Sequence, residues 1–281
     1  MQKILVTGAT GFIGNYVIEV LLQRGFSVIA TSSNIEKAKQ FNWFNKVNYA
    51  ELDFDKLDNN TNYFEYFNKP ELLIHLAWQG LPNYKDQFHL TKNLPQHQLF
   101  LSNIIANGLK DVTAIGTCFE YGMQEGELNE KMECFPDNAY AKAKNDLRIY
   151  LETLNINLKW VRLFYMYGKG QNQKSLIAQL ETALANNENI FNMSGGEQIR
   201  DFMPVEEVAE NIATIAIQTR IVGVINCSSG QPITVKEFVE NYLQQKNKVI
   251  KMNLGFYPYA DFEPMNFWGN NDKLKSIIEK K

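Results

Sequence analysis

The chain has 281 residues, 45% of them hydrophobic, enough to bury a large core in one domain or in one domain with a smaller lobe. Its 28 Lys and Arg stand against 31 Asp and Glu, and the net charge of -3 gives no basic footprint for nucleic acid. Three scattered cysteines, Cys118, Cys134 and Cys227, are too few for a disulfide framework or a four-thiolate zinc site and fit a reducing cytoplasm, while the lack of a leader pattern or an apolar run of bilayer length predicts neither secretion nor membrane insertion.

The apolar run Ile4-Leu5-Val6 predicts a strand, and it feeds directly into Thr7-Gly8-Ala9-Thr10-Gly11-Phe12-Ile13-Gly14. In a strand–turn–helix context the first glycine permits a tight turn, the second lets backbone approach a pyrophosphate, and the third lets the helix pack on the strand. The helix that follows, with Val17, Val20 and Leu21 at helical spacing, would offer free N–H groups and a positive dipole end to phosphates. Dinucleotide binding is therefore expected at Gly8, Thr10, Gly11, Phe12, Ile13 and Gly14.

Further strands are predicted at Ser27–Thr31, Val47–Leu52, Leu72–Leu76, Val112–Gly116 and Leu158–Leu163, with long helices over about Asp86–Gly108 and Asp137–Leu154. This alternation is the pattern of βαβ units and a parallel sheet covered on both faces. Residues 174–186 and 205–219 read as helices and 222–226 as a strand that returns to the sheet. The expected division is a dinucleotide-binding domain over 1–165, rejoined by about 203–227, and a smaller substrate lobe from 166–202 and 228–281.

Two segments carry chemistry. Tyr140 and Lys144 are four residues apart, so they share one helix face, and an ammonium beside a phenol lowers its pKa by favouring the phenolate. Thr117 ends the strand Ala114-Ile115-Gly116-Thr117, where its hydroxyl can bond a reacting carbonyl. His75, His89 and His97 have no carboxylates at ligand spacing, and no metal is expected.

A glycine turn, a hydroxyl at a strand end and Tyr-x-x-x-Lys, in this order and approximate spacing, resemble the extended short-chain dehydrogenase/reductases, the sugar-nucleotide epimerase/dehydratase/reductase group. The likeness runs along nearly the whole chain. It implies a Rossmann doubly wound parallel sheet with helices on both faces and a smaller C-terminal substrate lobe. It also implies Thr117, Tyr140 and Lys144 as catalytic residues, with Tyr140 and Lys144 touching the cofactor as well. Asp53-Phe54 matches the adenine-contacting pair, His75-Leu76-Ala77 the cofactor-lining end of the fourth strand, and Asn93 an asparagine near the nicotinamide half. Leu163-Phe164-Tyr165-Met166-Tyr167-Gly168 matches the segment joining the lobes, which sets Phe164 at the cofactor and Tyr165 at the substrate. Arg200-Asp201-Phe202 matches an Arg-Asp-aromatic motif whose arginine contacts the nucleotide diphosphate, a role suited to its forked donors.

Where NAD-using relatives carry an acid, the second strand ends in Thr31-Ser32-Ser33-Asn34. Hydroxyls, the next helix N-terminus and Lys37 can accept a 2′-phosphate, so NADP(H) is favoured over NAD(H). After Thr117 stand Cys118 and Phe119 rather than the Asp-Glu of dehydratases. Both, with Trp78 in the aromatic loop after the fourth strand, are expected on the substrate side. The resemblance thus implies NAD(P)H-dependent reduction of the C4 keto group of a nucleotide-linked 4-keto-6-deoxyhexose, in deoxysugar and surface-polysaccharide biosynthesis, by a homodimer. Two other readings stay open, a 4-epimerase that keeps its cofactor and a non-catalytic NADP-sensing regulator.

Overall fold

A computed structural model describes residues 2–261 and 263–279; Met1, Phe262, Lys280 and Lys281, which fall inside the two expected lobes, lie outside the described residues. Seven parallel strands form the central sheet: β1 Lys3–Thr7, β2 Ser27–Thr31, β3 Asn48–Tyr49, β4 Leu72–His75, β5 Asp111–Thr117, β6 Asn157–Leu163 and β7 Gly223–Cys227. Their order across the sheet is β7-β6-β5-β4-β1-β2-β3. The chain therefore moves outward in one direction from β1 to β3 and in the other from β4 to β7. The reversal between β1 and β4 opens the crevice in which such sheets bind ligands.

Alternation along β1 shows why both faces are covered. Ile4 and Val6 point into one core with Val17 and Leu21 of α1 (Phe12–Gln23) and Ile212 of a helix over Val205–Ile217. Leu5 points into the other, with Phe100 and Leu101 of α2 (Leu94–Ala106) and Leu147 of α3 (Ala139–Glu152). Strands buried on both sides need apolar residues at both phases, which is why their sequences read as unbroken apolar runs. Burial at this scale favours folding by about 25 cal/mol per Å² of apolar surface removed from water.

The expected strands are found within a residue or two, except that β3 shrinks to Asn48–Tyr49. The predicted helix over 86–108 begins instead with a π-helical turn, His89–Asn93, before α2. Pro95 explains the irregular start, because it has no N–H to give to the carbonyl four residues back. Beyond the sheet, Ile177, Leu180, Phe191, Met193, Phe238, Val239 and Tyr242 form a separate core. A three-stranded sheet of Tyr165–Tyr167, Ile199–Pro204 and Pro232–Thr234 stands beside it.

Candidate active site

The glycine turn lies at the β1/β4 crevice with the geometry a pyrophosphate needs. Gly8 has φ of +70°, and a Cβ there would sit 2.8 Å from the Ala77 backbone nitrogen, so only glycine lets the β4 end close over the turn. A Cβ on Gly14 would collide with the Gly8 carbonyl, which fixes the approach of α1 to β1. Gly11 starts α1 with no side-chain cap and no acid in the first turn. The helix thus presents uncapped N–H groups and its positive end. Two buried atoms at expected cofactor positions, Thr31 Oγ1 and Asn93 Oδ1, have no hydrogen-bond partner among the described residues. Orphaned acceptors and an uncapped helix end suit a polar ligand, and the residues present fit a dinucleotide.

Thr117, Tyr140 and Lys144 converge where β5 ends against α3. The Thr117 hydroxyl faces the Tyr140 phenol closely enough to favour its phenolate. Lys144 is buried and donates from Nζ to the Ile115 carbonyl at 2.9 Å, with its ammonium 4.0 Å from the Trp78 ring centre. Burial lowers its pKa to about 7, against the opposing pull of the Glu120 carboxylate. For Tyr140, burial raises the pKa, with the Tyr84, Glu120 and Cys118 charges acting the same way and the Thr117 hydroxyl against them. The expected lowering of the phenol pKa is therefore not seen in the protein alone. Desolvation dominates, and the Lys144 ammonium is directed at Ile115 and Trp78.

Glu120 lies beneath this site, a residue the sequence reading passed over. It is 0% exposed. It accepts from Thr117 N at 2.9 Å, Trp160 Nε1 at 3.0 Å and Arg162 Nε at 2.7 Å. The Thr117 side chain in turn accepts from Phe119 N, which completes a capping box. The Thr-x-x-Glu spacing was a readable signal for that box. Behind the site, Thr7 Oγ1 bonds His75 Nδ1 at 2.9 Å and His75 Nε2 bonds His97 Nδ1 at 2.8 Å. Burial lowers the His75 pKa to about 3 and holds His97 well below its usual value, so the pair is a neutral hydrogen-bonded prop.

Several expected contacts take another form. Trp78 is half-buried, with His97 stacked against its ring system at 4.6 Å and the Lys144 ammonium 4.0 Å from a ring centre. Its Nε1 donates to His89 Nδ1 at 3.1 Å, which fixes the ring against Lys144. The Phe54 ring turns into the core, 4.5 Å from His97, and Phe164 packs in a buried cluster with Cys118, Tyr121, Leu128 and Phe267. Burial raises the Cys118 thiol pKa, which suits a packing residue rather than an acid/base thiolate. Asp53 caps the turn at Phe54–Lys56 through Asp55 N. Asn93 donates to the Gln79 carbonyl at 3.0 Å and holds the loop after β4.

Arg200 is buried, donating to the carbonyls of Ile199 and Met265 and, at 2.9 Å, to Glu263. Tyr165 donates its hydroxyl to the same Glu263 oxygen at 2.6 Å. The expected anion-binding arginine therefore already holds an anion, a carboxylate 63 residues away that no local pattern announces. Phe119 reaches toward the same side, its ring 5.1 Å from Tyr84 and 6.4 Å from Tyr165.

Comparison with known proteins gives this arrangement relatives. The chain is 30% identical to "dTDP-6-deoxy-L-talose 4-dehydrogenase (NAD(+))" of Aggregatibacter actinomycetemcomitans, over 95% of this chain and 99% of that protein. It is 27% identical to "ADP-L-glycero-D-manno-heptose-6-epimerase" of Brachyspira hyodysenteriae, over 84% of this chain and 78% of that protein. A crystal structure of UDP-glucuronic acid 4-epimerase from Bacillus cereus, in complex with UDP-glucuronic acid and NAD, superposes with a TM-score of 0.82 at 21% identity, covering 100% of this chain and 94% of that one. That likeness speaks to the fold. The sequence model of the "NAD dependent epimerase/dehydratase family" matches residues 4–227, and with the glycine turn, Thr117, Tyr140 and Lys144 inside that span the chain belongs to this family of sugar-nucleotide enzymes, within the extended short-chain dehydrogenase/reductases.

Proposed function

We propose that the protein interconverts a carbonyl and an alcohol at C4 of a nucleotide-linked 6-deoxyhexose, acting as a 4-keto reductase. The observation that carries this reading is the meeting of Thr117, Tyr140 and Lys144 beside the Gly8–Gly14 turn. The 4-dehydrogenase relative supports it, since its name describes the same C4 step in the opposite direction. A dTDP-linked sugar follows from that relative as the first substrate to try.

A bound nicotinamide supplies the hydride for such a step. The chain's own residues do the rest. Tyr140, whose pKa burial raises, holds a proton at its phenol oxygen at neutral pH and gives it to the developing C4 alkoxide. Thr117 Oγ1 donates to the same oxygen, held in place by the Glu120 capping box. Lys144 binds ribose hydroxyls from the Ile115 side of the site. Arg200 takes the substrate diphosphate in exchange for Glu263, whose bond it now holds.

The experiment is a screen of nucleotide-linked 4-keto-6-deoxyhexoses with NADH and NADPH. One reduced dinucleotide consumed per product supports the reductase, and product formed with no net consumption supports the 4-epimerase. Binding of dinucleotide with neither outcome would favour the sensing regulator. A homodimer through α2 and α3 belongs to the same proposal, with sedimentation as its test.

Lys144 gives this reading a pH signature. In the protein alone its proton leaves as pH rises through about 7. Ribose hydroxyls that accept from the ammonium favour the charged form, so dinucleotide binding should take up a proton at about pH 8 and none at about pH 6. Calorimetry in two buffers of different ionisation enthalpy reads this directly, and equal heats at the higher pH would count against it.

A further inference from the structure

We infer that Glu51 takes the place of the acid missing from the end of β2, reads the adenosine ribose 2′-hydroxyl, and makes NAD(H) the cofactor in preference to NADP(H). The inference rests on the dinucleotide reading of the Gly8–Gly14 turn. β2 runs out into Ser32-Ser33-Asn34, about 20 residues past that turn, where an acid would normally meet the ribose. β3 is short, yet its pairing with β2 continues past its last strand residue. Ala50 N donates to the Ala30 carbonyl and Leu52 N to the Ser32 carbonyl, both at 3.1 Å. That register sets Glu51 beside Ser32, at the spacing of neighbouring strands, about 4.8 Å.

Part of what would welcome a 2′-phosphate is already engaged: the N-terminus of the next helix, its capping side chain and one hydroxyl. Glu51 Oε2 accepts from Ile35 N at 3.0 Å. Asn34 Oδ1 accepts from Lys37 N at 2.8 Å, and Ser32 Oγ shares a hydrogen bond with Tyr49 OH at 2.9 Å. Lys39, the second cation of this segment, is paired with Glu36 at 2.6 Å. Beside Ser32 stands a carboxylate that accepts a hydrogen bond from a hydroxyl and repels a phosphate. The acid arrives from the neighbouring strand, so no pattern at the end of β2 reveals it.

Equilibrium titration of the purified protein with NADH and with NADPH, followed by nicotinamide fluorescence, tests this without any turnover. The parent should bind NADH at least about tenfold more tightly than NADPH. Glu51→Gln keeps an acceptor for Ile35 N, removes the charge, and should shrink that ratio about tenfold or more, chiefly by strengthening NADPH. Glu36→Gln, a nearby exposed carboxylate, should leave the ratio unchanged. A parent that prefers NADPH, an unchanged ratio in Glu51→Gln with NADH binding retained, or an equal shift in Glu36→Gln would overturn the assignment. Failure to bind either dinucleotide would instead overturn the underlying reading of the glycine turn.

Discussion

Replacing Tyr140 with Phe should lower turnover by about 10²–10⁴-fold, the range over which a positioned general acid contributes, while dinucleotide affinity stays near that of the parent. The ring lies among Trp78, Tyr84 and His89, with centroids 6.1, 5.6 and 5.4 Å away. Phe fills the same space and loses only the phenol oxygen that faces Thr117. Lys144 is held independently, through Ile115 and Trp78, so the groups expected to face the ribose do not move. Steady-state kinetics and a dinucleotide titration on one preparation measure both halves. Turnover within about threefold of the parent would remove Tyr140 from the chemistry.

A second large effect is expected in stability. Glu120→Gln replaces a buried carboxylate with an amide, leaving Arg162 as an uncompensated charge and placing new donors against Trp160 Nε1 and Thr117 N. Removing one partner of a buried pair costs about 3–5 kcal/mol, which corresponds to a fall of roughly 6–20 °C in the unfolding midpoint at about 2–4 °C per kcal/mol. Pairing the change with Arg162→Met removes the orphaned charge and should recover part of the loss. A Glu120→Gln midpoint within about 2 °C of the parent would show that the pair does not brace the site.

The parts of the site that the sequence made legible are those built within one stretch of chain. Gly8, Gly11 and Gly14 announce their turn because the physical demands on it are local, and the i, i+4 spacing of Tyr140 and Lys144 survives in α3 unchanged. Glu120 could have been read from Thr117-x-x-Glu120, a local pattern as well. By contrast, Glu51 reaches β2 from the next strand, Glu263 reaches Arg200 across 63 residues, and His97 meets His75 from a helix on the other side of a loop. Each of these pairs depends on tertiary packing, to which hydrophobic period and turn chemistry are blind. Trp78 illustrates the same limit: an aromatic residue in a loop after a cofactor-lining strand suits stacking on a sugar, and only the fold shows Lys144 and His97 against its ring.

The choice between NADP(H) and NAD(H) turns on the same kind of contact. Thr31-Ser32-Ser33-Asn34 taken alone is a hospitable phosphate site. Glu51, inferred to face the ribose from the next strand, would turn the same place against a phosphate.

Under the proposed function this chain passes hydride between a nicotinamide and C4 of a nucleotide-linked 6-deoxyhexose. This is tested most directly by incubating the protein with a dTDP-linked 4-keto-6-deoxyhexose and NADH deuterated at its transferable position, then locating the label by NMR. Deuterium is expected at sugar C4, one label for each NADH oxidised. Product without label at C4, or label at another carbon, would contradict that function.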